Sequence, residues 1–383
     1  MNILILGGYG YTGKLLAKHL LAETKHRIII AGRHLDKAQA FVDELHDARA
    51  SAQQGDAADS ASLKNALRGV EPSTSLTVRA ASNGGTPVRD GRPSFLLVAA
   101  PTTHHTETVV CAALEAGVDY LDVQFSSEKI KILNAHAKEI ADRNLCFVTE
   151  AGFHPGLPAA LIRYAASKMD CIESAATAGY LNMGTSLPYT DAVDELMEAF
   201  IDYQMQVYKN GAWTKSTSYD IRKFDFGEGI GKRDCYSTFF EELRGLPEMY
   251  PSLKDVGFYM AGGGWLADSL TMLVLLGLKL APKRGLKPMG KLMWWVMTEL
   301  PKPPYRVVLA VEAKGQLNGS PVEIRVRSEH EDGYEFTAIP VVAFLMQYEK
   351  VRCAGLHMMG HLAEPKQLFN DMEKMGIKIT ECV

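Results

Sequence analysis

Gly8, Gly10 and Gly13 stand in the spacing G-x-G-x-x-G directly behind the apolar run 3–6, and a helical pattern follows over 14–21. Glycines so placed form a phosphate cradle. The first permits a sharp turn, the second lets backbone approach a pyrophosphate, and the third lets helix pack on strand. The start of the helix, with Tyr11 and Thr12 in its first turn, offers N–H groups and a partial positive charge to the anion. Gly32 and Arg33 then close a second buried run, 26–31, roughly 20 residues after Gly13, where such folds meet the adenosine ribose. A carboxylate there would accept from a free 2′-hydroxyl, whereas a guanidinium matches a 2′-phosphate bidentately. Arg33 therefore points to NADP rather than NAD, and Lys37, one turn into the next helix, adds a second positive charge. Asp56 ends a weak third strand and lies beside the adenine if that strand packs next to the second.

Hydride chemistry belongs to the cofactor, so the protein must position substrate, move one proton and exclude water. The carboxyl ends of the later strands carry the candidates: Ala99, Ala100 and Pro101 after a fourth strand, Asp122 after a fifth, and the loop 150–156 after a sixth. His154 in that last loop is the first candidate for the proton, because an imidazole titrates near neutrality. Asp122 and Glu150 are rival carboxylates, each also suited to accepting loop N–H groups, and Gly152 offers a close backbone approach to cofactor. Arg222 and Arg233 flank the glycine-rich stretch 227–231 and are candidate cations for substrate carboxylates. His104 and His105 open a helix without a cysteine or acidic pair at ligand spacing, so no metal is expected.

These residues need a scaffold, and the first third of the chain alternates strand and helix: strands at 50–54, 95–100, 118–123 and 145–149, helices at 59–69 and 106–116. Six such strands predict a Rossmann doubly wound parallel sheet of the α/β class. The stretch 71–94, with Arg79, Arg89 and Arg92, lacks periodicity and reads as a loop insertion, far longer than the usual 2–6 residues. From about Cys171 the pattern changes to a helix near 192–209 and then alternating runs, with hairpin turns expected at Asn318-Gly319 and Asp332-Gly333. The tail returns to helix over 364–375. The expected organisation is a Rossmann domain of 1–169 plus 340–383, and a sheet-rich α+β domain of 170–339 for substrate and dimerisation.

Bulk properties narrow the partners. The chain has 383 residues, 41 basic and 45 acidic, for a net charge of −4, so no sequence-wide field favours nucleic acid and a small-molecule substrate is expected. The six cysteines are scattered without a C-x-x-C pair and read as reduced core residues, and no charged leader opens the chain; both suggest a cytoplasmic protein. The strongly apolar stretch 270–280 is shorter than the roughly 20 residues a span needs, so no transmembrane segment is expected. It reads as a helix buried in the core or at a subunit interface, with peripheral membrane contact the lesser alternative.

Several motifs together resemble one family. Gly-Gly-Tyr-Gly-Tyr-Thr-Gly at 7–13, Ala-Gly-Arg at 31–33, the run 113–122, Gly-Phe-His-Pro-Gly at 152–156, Asp-Gly-Tyr at 332–334 and Gly-Leu-His-Met-Met-Gly at 355–360 are similar to the saccharopine dehydrogenase family of the reductase, glutamate-forming kind. The resemblance implies an NADP(H)-binding Rossmann domain, a sheet-rich domain inserted before C-terminal helices that return to the first, and often a homodimer. It implies hydride transfer at the C–N bond of an amino acid adduct. The family also holds enoyl reductases of lipid-linked substrates, which leaves that activity, or a non-catalytic NADP-bound scaffold or sensor, as the alternative.

Overall fold

The computed structural model describes residues 1–68, 94–184, 189–201, 205–217, 220–303 and 305–382. The insertion at 71–94, with Arg79, Arg89 and Arg92, lies outside the described residues save for Ser94. The chain divides into two compact units: Met1–Thr149 with Arg352–His357, and Glu150–Val351 with Met358–Val383. The expected boundary at 169/170 thus moves to 149/150. What returns to the first unit is one short segment, while the C-terminal helices fall with the second.

In the first unit, strands β1 (Asn2–Leu6), β2 (Arg27–Gly32), β3 (Ala50–Gln54), β4 (Phe95–Val98), β5 (Asp119–Asp122) and β6 (Cys146–Thr149) alternate with helices α1 (Tyr11–Glu23), α2 (Leu35–Leu45), α3 (Ser60–Arg68), α4 (Thr106–Ala116) and α5 (Ser127–Asp142). Every residue of β1, β4, β5 and β6 is buried, as a sheet covered by helices on both faces requires.

The second unit carries α6 (Leu157–Ala166), β7 (Cys171–Asn182), α7 (Asp191–Ile201), β8 (Gln206–Lys209), β9 (Ala212–Lys215), β10 (Ile221–Asp225), β11 (Lys232–Thr238), α8 (Leu246–Met249), β12 (Asp255–Ala261), α9 (Trp265–Leu280), α10 (Pro282–Glu299), β13 (Arg306–Leu317), β14 (Ser320–His330) and α11 (Glu335–Val351). After β15 (Gly355–Met358) come α12 (Met359–Leu362), α13 (Pro365–Lys374) and β16 (Lys378–Cys382).

The first sheet has 7 strands in the order β15-β6-β5-β4-β1-β2-β3, the doubly wound order with β15 added at one edge. Arg352 fixes that addition: its guanidinium donates to both Asp119 oxygens, at 2.7 and 3.0 Å, and to the Asn144 carbonyl at 2.7 Å. The second sheet has 9 strands, with β10-β11-β12-β7-β13-β14-β16 as its path. It is antiparallel except where β12 runs parallel to β7. The β13–β14 hairpin turns at Asn318 (φ 52°) and Gly319 (φ 76°), the two positive values a tight hairpin turn demands and the reason Asn-Gly marks it.

Asp332-Gly333 does not turn a hairpin. The Asp332 carboxylate accepts from Tyr334 N at 2.7 Å and Glu335 N at 3.1 Å, opening α11, whose apolar residues are buried on nearly all sides. The expected helix at 192–209 ends at Ile201, and 206–209 is strand β8. Replacing Asp332 with Ala should lower stability by about 1 kcal/mol, read as a reduced urea midpoint, while Asn, which can still accept, should lose much less.

Candidate functional site

The turn after β1 is made by backbone packed against backbone. Gly7, not Gly8, takes the left-handed conformation (φ 83°), and a Cβ on it would stand 2.6 Å from the Ala100 Cβ. A Cβ at Gly13 would stand 2.2 Å from the Gly7 carbonyl oxygen, so the third glycine of the pattern is where helix meets turn. The sharp-turn role expected of Gly8 thus belongs to its neighbour, because the chain reverses one residue earlier, with Gly7 N donating to Ala31 O at 2.8 Å. Gly10 is the N-cap of α1 and has no side chain to cover the helix start, and no acidic residue occupies its first turn. Tyr11 is exposed and Thr12 half-buried beside it. This geometry fits a diphosphate: uncapped N–H groups, a floor free of side chains, and a positive dipole end.

At the end of β2 the Tyr9 ring lies across Gly32, 2.5 Å from where a Cβ would stand, and its hydroxyl accepts from His34 N at 3.1 Å. Arg33 and Lys37 follow, both exposed. Among the described residues neither has an ion-pair partner, which leaves two cations available at the ribose end of the fingerprint. Asp56 sits after β3, and Gly55 N ties that strand to Gly32 O at 3.0 Å. Its carboxylate accepts from Ala58 N at 3.0 Å, a local turn contact that leaves its other oxygen for a ligand.

Behind the loops that follow β4 and β5 lies a buried polar network. Lys129 and Asp122 are both 0% exposed and form an ion pair. Asp122 also accepts from Gln124 N at 3.2 Å and from the Thr149 hydroxyl at 2.9 Å. Lys129 donates onward to Gln124 O. The Gln124 amide donates to Ala100 O at 2.7 Å and accepts from the Thr102 hydroxyl at 3.2 Å. Asp122 is therefore fully engaged as a positioning group for Ala99, Ala100 and Pro101, the loop that abuts Gly7. Lys129 escaped sequence reasoning; the available signal was its place on the apolar face of α5 with Ile130 and Leu133, beneath the Ser126 cap.

The remaining candidates belong to the second unit. Glu150 is fully buried with φ 53°, and Gly152 and Gly156 also have positive φ; a Cβ on Gly152 would meet Thr337 at 3.1 Å. Gly152, expected at the cofactor, thus groups with the second unit. His154 is surrounded by aromatic rings, its centroid 4.1 Å from Phe153, 6.0 Å from Phe240 and 6.3 Å from Phe258. Its Nε2 is buried without a hydrogen-bond partner. Burial lowers its pKa from 6.5 to about 4, so the expected titration near neutrality gives way to a neutral imidazole.

Glu242, which sequence reasoning missed, is 0% exposed. Burial raises its pKa from 4.5 to about 7, although Gly156 N and Ala159 N donate to its two oxygens at 2.8 and 3.0 Å. It caps α6 from 86 positions away, and nothing local marks it. Arg222, an expected substrate cation, is spent on Glu312 at 2.9 Å. Arg233 lies over the Tyr180 ring at 5.9 Å and has no ion-pair partner among the described residues. Glu107, Cys111 and His136 bring ligand atoms within 4.8 Å of one another, but His136 is already paired with Glu107 at 2.9 Å and Glu139 at 3.5 Å.

The glycine cradle, its uncapped helix and the two unpaired cations define an NADP-binding Rossmann protein. Residues 3–84 match the family described as the saccharopine dehydrogenase NADP binding domain. That stretch of the chain thus reads as an NADP binding domain of the saccharopine dehydrogenase type. Over 100% of both chains it shares the fold of apo saccharopine dehydrogenase (L-Glu forming) from Saccharomyces cerevisiae, at 13% identity and a TM-score of 0.65. Weaker likenesses include a probable dehydrogenase from Thermotoga maritima (8% identity, TM-score 0.46, 100% of this chain and 98% of that one). A myo-inositol dehydrogenase from Corynebacterium glutamicum is also similar (11%, 0.43, 100% and 99%). No curated protein matches the sequence.

Two measurements test the site. Arg33→Asp should weaken NADPH binding on the order of 100-fold and leave NADH nearly unchanged; equal losses would remove the phosphate contact. For Glu242 the folded pKa lies above the unfolded one, so its contribution to stability is present below pH 4.5 and is lost as pH rises to 7. Glu242→Gln lacks that loss and should gain about 3 kcal/mol on the wild type between pH 4.5 and 7, measured by urea unfolding at both ends. His154, neutral when folded, acts alike in both proteins and cancels from the difference.

Proposed function

We propose that this protein moves a hydride between NADP(H) and the carbon of a carbon–nitrogen bond in an amino acid adduct. The observation that carries the reading is the NADP binding domain of saccharopine dehydrogenase type over residues 3–84, joined to a fold shared along the whole length of such an enzyme. Arg33 and Lys37 would hold the 2′-phosphate, with Asp56 beside the adenine. The turn from Gly7 to Gly13 would hold the diphosphate. Bound NADPH would supply the hydride to the carbon and water the proton to the nitrogen, so that C=N becomes CH–NH as NADPH becomes NADP+, with His154 orienting the nitrogen through a hydrogen bond and not surrendering its own proton.

His154 takes part as a neutral N–H donor, the form in which burial keeps it, as catalytic imidazoles held neutral by their surroundings do. Asp122 serves the loops rather than the proton. Arg233, the expected cation that keeps its charge unpaired, would meet a substrate carboxylate. In this reading the protein acts as a cytoplasmic homodimer.

A second reading, reduction of a lipid-linked enoyl substrate, is favoured by the exposed apolar side chains of α9, among them Leu273 and Leu276, each 52% exposed. NADPH oxidation followed with pairs of keto acid and amine, beside enoyl thioesters, separates the two. Turnover with the pairs alone is expected. Turnover with thioesters alone installs the second reading, and NADPH binding without turnover on either leaves a non-catalytic NADP protein. His154→Gln should cut turnover roughly 100-fold with NADPH affinity intact, and the wild-type pH profile should lack a limb near 6.5.

A further inference from the structure

We propose that the α9–α10 hairpin docks the protein onto an anionic lipid surface, a property that holds for either substrate. Helix α9 buries Val274 and Leu278 against Met197 of α7 and Leu286, Met289 and Met293 of α10. Its opposite side is equally apolar. Leu266, Leu273, Leu276 and Leu280 recur on it at steps of seven, three and four residues, all exposed, with Met272 beside them. Trp265 is 82% exposed and Leu280 76%. A helix apolar all round is ordinarily buried in a core or in lipid, so the expected buried helix here turns half its surface outward. The patch calls for an occupant.

Charge identifies that occupant. Between Ser269 and Thr298 stand Lys279, Lys283, Arg284, Lys287 and Lys291, with no Asp or Glu at all, in a chain whose net charge is −4. On α10, Arg284, Lys291 and Trp295 share one exposed stripe. The carboxylates of the hairpin stand only at its two ends, Asp268 in the first turn of α9 and Glu299 at the last residue of α10, so an isologous contact with a second copy would set the five cations between them largely against themselves. Anionic headgroups neutralise the cations, while the apolar side enters the headgroup–acyl boundary and the tryptophans sit at the interface. No helix among the described residues is long and apolar enough to cross a membrane, so the hairpin would lie in the interface.

The test is co-sedimentation with phosphatidylcholine vesicles, with and without phosphatidylserine. The wild type should pellet with the phosphatidylserine vesicles, at least tenfold less with phosphatidylcholine alone, and less again at high salt. Leu273→Glu with Leu276→Glu, and separately Lys283→Glu with Arg284→Glu and Lys287→Glu, should each lower binding at least tenfold while NADPH binding stays unchanged. In the unaltered protein, vesicles should shift tryptophan emission to the blue, a readout that needs no variant. Absence of both pelleting and blue shift overturns the proposal, as do variants that bind like the wild type. A concentration-dependent dimer in sedimentation velocity, abolished by the leucine substitutions in a protein that ignores vesicles, also overturns it and gives the face to a second copy.

Discussion

Backbone lying against backbone at the end of β1 is the constraint on which the nucleotide site depends. The Gly13 Cα faces the Gly7 carbonyl so closely that a Cβ would stand at 2.2 Å, far inside van der Waals contact. That contact lets α1 begin directly over the strand it follows. Its N-terminus can then aim at an anion, and the loop after β4 can close on Gly7 through Ala100. A side chain at Gly7 or Gly13 would separate helix from sheet and move the cations at the end of β2 relative to the diphosphate floor.

The loop that meets this turn is held from beneath by charge. Taking Lys129 and Asp122 out of water is expensive, and removing one of such a pair typically costs about 3–5 kcal/mol. The cost is met because Asp122 also takes the Thr149 hydroxyl and Gln124 N, and Lys129 takes Gln124 O. Gln124 passes the order to Ala100 and Thr102. A carboxylate at the end of a Rossmann strand thus holds the loops around it. In the second unit burial acts in opposite senses on two groups, pushing Glu242 up to about 7 and His154 down to about 4. The imidazole is thereby held neutral among aromatic rings.

Much of this was legible in the residues. The buried strands announce themselves as unbroken apolar runs because both faces of a parallel sheet are covered. Asn318-Gly319 marks a hairpin because only such residues accept two successive positive φ values. Arg33 stands out because its place follows from one chain position after one strand. Asp332-Gly333 misled because a short acidic side chain before glycine serves a turn and a helix cap equally well, and only the long apolar helix behind it decides. The stretch 270–280 left core, subunit interface and lipid surface open, because hydrophobicity records what a segment would bury, not whether a partner within the chain covers it.

The sequence by itself determined the doubly wound sheet, the glycine cradle and the preference for NADP, all of which depend on residues near one another along the chain and on periodicities that local geometry enforces. Only the tertiary structure decided the protonation and partners of the site. Glu242 reaches α6, Lys129 is buried with Asp122, Arg222 is lost to Glu312, and β15 joins the first sheet through Arg352 and Asp119. Each of these depends on which distant side chain burial places beside a charge, and desolvation is a property of the folded surroundings that no local spacing encodes.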